Sequence, residues 1–348
     1  MSKVSTAVLG ASGMVGQRFC EMLSDHPYFD TPVLFGSERS GGKSIAEVLT
    51  IPEPRISDEL LGAKIRPLDM GEIADGNFGA VFSALPSGVA SGVEMPLMEK
   101  GCRIFTNASS NRMRREVPLV VPEVNHEHLG MVEGREGFIV ANGNCSSIGL
   151  AMGLKPLEPL GLERVEVTTM QALSGAGYPG VPSLDASSNV IPYIDGEEEK
   201  LGIEIPKMFG TLEGGGITPS PVEVSATCTR VPVRDGHMES VLVSLGKEVD
   251  ADEVRRMFSS FTSLPQRLEL PSAPARPVIL AADIRRPQPI LDVNAGEPAR
   301  ARGMAATVGR VRVSGRNVRF IILTHNTIRG AAGGSVLNAE ILHSRGVL

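Results

Sequence analysis

The sequence predicts an α/β protein made of an N-terminal parallel-sheet domain and an α+β second domain whose sheet is mostly antiparallel. Three observations carry this. The chain has 348 residues, more than a single core comfortably holds. Up to residue 145, short continuous apolar runs alternate with helical periods, the pattern of a parallel sheet covered on both faces. Beyond residue 145 the apolar runs lengthen and begin to alternate with polar residues, as strands with one exposed face do.

The elements follow in order. "KVSTAVLG" (3–10) is a strand ending in glycine. "MVGQRFCEMLSDH" (14–26) sets Val15, Phe19, Met22 and Leu23 at helical spacing. Strands are expected at 31–37, 78–85, 102–109 and 137–142, with a helix at 88–100. In the second part, 162–174, 222–233 and 237–249 read as strands, 306–326 as a hairpin turning near Ser314 and Gly315, and "ADEVRRMFSSF" as a helix. The segment 175–221, rich in Gly and Pro, reads as a long loop of the kind that is often functional. A helical pattern over 328–345 closes the chain.

Composition excludes several classes. The net charge of −6 offers no nucleic-acid surface. No apolar run approaches the roughly 20 residues of a membrane span, and no secretory leader is visible at the N-terminus. Cys20, Cys102, Cys145 and Cys228 stand far apart, which argues against a disulfide framework or a zinc cage and for a reducing cytoplasm. His126 and His128 form an H-x-H pair with nothing near to complete a metal set, so a solvated loop is expected there and no metal site.

Two stretches carry chemistry. "GASGMVG" joins the first strand to the first helix, with glycines at 10, 13 and 16. Glycine permits the sharp turn and the close approach of a pyrophosphate to free amides at a helix start, so the first domain is of the Rossmann type. After the second strand comes "GSERSGGK" (36–43). Glu38 there offers an acid to a ribose, but Ser37, Arg39, Ser40 and Lys43 make the loop cationic. Arg39 suits a 2′-phosphate, which favours NADP over NAD. The second stretch is "NCSSIGLAMGL": Cys145 follows a strand and opens a helix. A helix mouth stabilises a thiolate through its dipole and unpaired amides, and those amides suit an oxyanion later. His237, in an expected turn, with Arg230 seven residues before it, is the candidate partner. Cys20, Cys102 and Cys228 read as core residues.

"GASGMVG", "NASSNRM", "GNCSSIGL", "QALSGAGYPGVPSLD", "VIPYIDGEEEK", "CTRVPVRDGH" and "HNTIRGAAGG" together resemble the aspartate-semialdehyde dehydrogenases, most closely their archaeal and fungal branch. The resemblance implies reversible, NADPH-driven conversion of 4-phospho-L-aspartate to L-aspartate 4-semialdehyde, in lysine, threonine and methionine synthesis. It implies a thioester on Cys145, an acid/base role for His237 and an orienting role for Gln171. Arg230 would take the substrate carboxylate, Arg112 and Lys200 the phosphate, and one of Glu197, Glu198 and Glu199, first of all Glu197, the amino group. The cofactor would meet Gly10, Ala11, Ser12, Gly13, Met14 and Val15, then Ser37, Arg39 and Ser40, then Ser83, Leu85 and Pro86 by the "ALPSG" turn, and Asn326. The expected domains are 1–145, completed by 327–348, and 146–326, the second also joining subunits into a homodimer or homotetramer. Malonyl-CoA reductase resembles the same scaffold and is the nearest alternative; Glu197 and Lys200 favour the aspartyl substrate.

Overall fold

The computed structural model describes residues 3–348. Strands β1 (Thr6–Leu9), β2 (Val33–Gly36), β3 (Arg66–Pro67), β4 (Ala80–Ser83), β5 (Arg103–Thr106) and β6 (Phe138–Ala141) form one sheet in the order β3-β2-β1-β4-β5-β6. Every pairing in it is parallel. The strands are short because both faces are covered: β1, β4 and β6 are buried at every residue.

A second sheet is built from β7 (Leu162–Gln171), β10 (Glu223–Arg230), β11 (His237–Leu245), β12 (Val278–Leu280), β13 (Ala306–Ser314) and β14 (Asn317–Thr324), in the order β10-β7-β11-β14-β13-β12. Its three central pairings are antiparallel, and its two outer ones, β10 with β7 and β12 with β13, are parallel. A small hairpin, β8 (Thr211–Glu213) and β9 (Gly216–Thr218), stands apart.

The helices of ten residues or more are α1 (Met14–Leu23), α2 (Ser87–Glu99), α3 (Cys145–Leu154), α4 (Glu197–Met208), α5 (Ala251–Ser260) and α6 (Gly333–Ser344). Helix α6 packs on α1 and on β4, β5 and β6, burying Val336, Leu337 and Ile341 completely. Phe82 stands at the centre of that layer, with ring centroids 5.3 Å from Phe19 and 5.6 Å from Phe105; such pairs add about 0.5–1.5 kcal/mol each beyond area burial. A π segment at Ile328–Ala332, kinked at Ala331 (φ −151°, ψ −106°), precedes α6, so the expected helix over 328–345 is broken near its start.

Helix α3 bridges the two sheets, and two glycines let it lie on the second. A Cβ at Gly149 would stand 2.9 Å from Thr324 Oγ1, and one at Gly153 would stand 2.8 Å from Phe320 Cε2. Side chains at these positions would lift the helix off the sheet and carry Cys145, its first residue, with it.

Two expectations fail. The segment 175–221 is no continuous loop: it contains α4 and the β8–β9 hairpin. The inward face of α4 includes Glu197, Glu204 and Lys207 among its buried residues, so its apolar periodicity is broken in the sequence. His126 and His128 do not sit in a solvated loop. They belong to a 3₁₀ turn over His126–Val132, where His128 is fully buried between Asn125 and the Gly210 carbonyl.

Candidate active site

The C-terminal ends of β1, β4, β5 and β6 deliver Gly13, Ala84, Asn107 and Gly143 to a cleft of about 350 Å³ that Cys145 lines. Open parallel sheets bind ligands at this edge. The far wall comes from Ser174, Gly175, Asn326 and Gly330. The π segment presses closely on the cysteine: a Cβ at Gly330 would lie 2.9 Å from Cys145 Cβ.

Asn144 caps α3. Its Oδ1 accepts from the Ser146 amide at 2.9 Å and the Ser147 amide at 3.3 Å. The expected pool of unpaired amides for a thiolate and an oxyanion is therefore largely taken by this cap. Nor does the thiol sit ionised at the helix mouth: burial, then the Glu197 carboxylate, push it up to about 12 against the opposing pull of Arg112, Arg230 and the Ser146 amide. The positional reading of the sequence captured the helix mouth and missed the negative charge beside it.

That charge is held by several donors. Both Glu197 oxygens accept from Asn144 Nδ2 (3.0 and 2.9 Å), and Glu197 also accepts from Gln171 Nε2 (3.2 Å) and Lys200 Nζ (2.8 Å). Burial alone would raise its carboxyl; the Lys200 ion pair and the Asn144 and Gln171 bonds outweigh burial and hold it below the usual carboxylate range. Of the three candidate glutamates, Glu197 turns inward, Glu198 caps the Cys228 amide and Glu199 is exposed.

The second sheet aligns the remaining groups. Gln171 and Arg230 are register partners at the ends of β7 and β10, and Met170 pairs with Met238 next to His237 on β11. Arg230 donates to the Ala172 carbonyl at 2.8 Å, and burial lowers its pKa despite the nearby Cys145 and Glu197. His237 is not in a turn: it opens β11 and is fully buried. Its Nδ1 accepts from the Ala172 amide at 3.1 Å, so the neutral ring carries its proton on Nε2, which has no partner in the protein. Burial, then Arg230, push the imidazole down to about 3. Gly175 covers both groups: a Cβ there would meet Arg230 Nη1 at 2.7 Å and His237 Nε2 at 3.0 Å.

Arg112 also lines the Cys145 cleft. It is fixed by bonds to the carbonyls of Asn142 (2.9 Å) and Asn107 (2.8 Å) and to Glu204 (2.9 Å). Three of its five N–H groups are so used, and one on each terminal nitrogen is left for a ligand.

A groove of about 280 Å³, partly sharing these walls, is lined by Gly10, Ser12, Gly13, Gly36, Ser37, Leu68, Leu85 and Pro86. Its glycines are required. Gly10 has φ +78° and a Cβ would come 2.8 Å from the Ala84 carbonyl oxygen; a Cβ on Gly16 would come 2.1 Å from that of Gly10. The Gly10 and Ala11 amides donate to Phe35 and the Gly13 amide to Gly10, leaving those of Ser12, Met14 and Val15 at the helix start for an anion. Met14, Val15 and Asn326 line the Cys145 cleft instead. Three expected contacts do not face the groove. Ala11 is buried with its amide spent, Ser83 is buried beside Glu94, and the Ser40 hydroxyl is turned to the Ser37 carbonyl. Arg39 is exposed.

The groove, with free amides at a helix start, suits a pyrophosphate, and it shares Gly13 and Ala84 with the cleft that Cys145 and Arg112 line. This is the layout of a dinucleotide-dependent oxidoreductase. Residues 5–132 match the semialdehyde dehydrogenase NAD binding domain and residues 154–329 the semialdehyde dehydrogenase dimerisation domain. An aspartate-semialdehyde dehydrogenase of Archaeoglobus fulgidus is 46% identical over 98% of each chain. A malonyl CoA reductase (NADP) of Metallosphaera sedula is 35% identical over 99% of this chain and 98% of its own. The crystal structure of the Candida albicans aspartate semialdehyde dehydrogenase with NADP superposes with a TM-score of 0.88 at 34% identity, covering 99% of this chain and 100% of that one. The chain belongs to the semialdehyde dehydrogenase family.

Proposed function

We propose that this chain is an NADP-dependent aspartate-semialdehyde dehydrogenase, catalysing the reversible reductive dephosphorylation of 4-phospho-L-aspartate to L-aspartate 4-semialdehyde. One observation carries the choice of substrate: Glu197, an anion, and Arg230, a cation, both lie within electrostatic reach of the Cys145 thiol. A substrate with an ammonium and a carboxylate on the carbon two bonds from its reacting carbon meets both. Arg112 and Lys200 remain for the phosphate. Malonyl-CoA has no amino group and would leave Glu197 without its ligand.

Cys145 Sγ attacks the acyl carbon, the carbon–oxygen bond to phosphate breaks, and the thiol proton departs as a thioester forms. Gln171, held to Glu197, orients the acyl group. Gly10, Ser12, Gly13, Ser37, Leu85 and Pro86 would hold NADPH, with Arg39 serving the 2′-phosphate, and the cofactor would supply the hydride there. His237 donates a hydrogen bond from Nε2–H to the oxygen on which negative charge develops and so holds that charge, the neutral ring keeping its proton. Collapse expels the sulfur, which recovers a proton.

We assign residues 1–145 with 327–348 to nucleotide binding and 146–326 to catalysis and subunit contact. The open face of the second sheet, where Thr168, Ser225, Ser240 and Arg319 line a shallow groove, is the surface we assign to a homodimer or homotetramer. Among the described residues no helix is long and apolar enough to cross a membrane, and the free cysteines suit our reading of a cytoplasmic enzyme of lysine, threonine and methionine synthesis.

The test is a pair of assays on the purified protein. NADP, inorganic phosphate and L-aspartate 4-semialdehyde should give NADPH, while malonyl-CoA with NADPH should give little turnover; the reverse result selects the reductase reading. Cys145→Ser should abolish the first activity.

A further inference from the structure

Glu204 took no part in the sequence reading, yet it joins two halves of the site. It is buried on the inward face of α4, seven residues after Glu197. Its Oε1 accepts from Arg112 Nη1 at 2.9 Å and its Oε2 from the Asn144 backbone amide at 2.6 Å. Asn144 is therefore gripped twice by one helix, through its backbone by Glu204 and through its side chain by Glu197. The contact leaves no slack: a Cβ on Gly143 would meet Met208 Cε at 2.3 Å and Glu204 Oε2 at 3.3 Å.

We propose that Glu204 is a positioning residue: one carboxylate that fixes the anion-binding guanidinium of Arg112 and the capped first turn of the Cys145 helix at a set separation. This rests on the reading of Arg112 as the phosphate site.

The chemistry demands a carboxylate. Both partners are donors, and only an anionic carboxyl accepts on both oxygens. A glutamine offers one oxygen and sets an NH₂ against the second donor, so either Arg112 or the Asn144 amide loses its partner in a buried place. The arginine would keep its bonds to Asn142 and Asn107 but could pivot about them. Geometry and charge then predict opposite effects. Release of Arg112 weakens phosphate capture, whereas loss of the neutralising anion alone would strengthen it.

The experiment compares Glu204→Gln, Glu204→Asp and wild type in the phosphorylating direction, with inorganic phosphate and aspartate semialdehyde varied separately. Glu204→Gln should raise KM for phosphate by about tenfold or more and leave KM for the semialdehyde within about twofold, with Tm lowered by a few degrees because one buried donor is left unpaired. Half-protection of Cys145 from iodoacetamide should need correspondingly more phosphate, a measurement that requires no turnover. Glu204→Asp keeps the charge but is one methylene short, so it should fall between the other two; it decides the matter if the glutamine variant does not fold. Tighter phosphate binding, an equal rise in both KM values, or no change overturns the proposal. Inactive wild type with aspartate semialdehyde would instead show that the substrate reading is wrong.

Discussion

The empty enzyme should react slowly with thiol reagents, although its cysteine stands at a helix N-terminus. An unperturbed cysteine with a pKa near 8.5 is about one-quarter thiolate at pH 8. At about 12, Cys145 is ionised roughly once in ten thousand molecules at that pH. Alkylation by iodoacetamide should then run about two-thousandfold slower than for a free thiol, since only the thiolate attacks. Its rate should climb tenfold per pH unit from pH 7 to 9 with no plateau. Peptide mapping by mass spectrometry separates Cys145 from Cys20, Cys102 and Cys228, which are buried. After burial, the Glu197 carboxylate is the next largest cause of the shift. Glu197→Gln should therefore accelerate alkylation at fixed pH, the amide oxygen still accepting from Asn144. A plateau with a midpoint near or below pH 8.5, or no acceleration in the variant, would refute the reasoning. If the prediction holds, the thiolate is generated as substrate arrives and is not stored beforehand.

Three further outcomes follow from the geometry. Gly175→Ala puts a methyl 2.7 Å from Arg230 Nη1 and 2.9 Å from His237 Cε1, so kcat/KM should fall by about a hundredfold with little change in Tm; a loss under twofold counts against the role of this cover. Arg39→Ala should weaken NADPH more than NADH in steady-state titrations, and an equal effect on both removes the 2′-phosphate argument. Glu239 is fully buried with neither oxygen partnered, and burial raises its pKa well above the usual range. The folded chain thus keeps a proton that the unfolded chain loses from about pH 4.5 upward, so stability falls as pH rises, by up to about 1.4 kcal/mol per unit. Glu239→Gln mimics the protonated acid, and its Tm advantage over wild type should widen from pH 5 to 8; a constant gap contradicts this.

Local chemistry was legible in the sequence, and partnership across the chain was not. Gly10, Gly13 and Gly16 announce their turn within seven residues, and Cys145 announces a helix start by its neighbours. Helix α4 was hidden because Glu197, Glu204 and Lys207 occupy places where a buried face normally carries apolar residues. Lys207 spends its three donors on the carbonyls of Arg112, Arg114 and Val117, contacts about 90 residues away. Such charges read as solvated until their partners are known. Ser83 failed for the opposite reason: a strand end suggests exposure to a ligand, but here the side chain faces Glu94.

The register of the second sheet explains why the site needs both domains. Gln171, Arg230 and His237 are scattered over 67 positions, yet β10, β7 and β11 are adjacent and bring them to one edge. Side chains on neighbouring strands in register lie about 4.5–5.5 Å apart, so a one-residue slip of β10 or β11 would turn Arg230 or His237 to the opposite face. The first sheet makes the complementary choice. Being parallel, it gathers the loops after β1, β4, β5 and β6 at one end. Helix α3 starts at that end and lies along the second sheet through Gly149 and Gly153. Cys145 is thereby set where the groove and the cleft meet, and either glycine replaced by a larger residue would move it away without altering any candidate site residue.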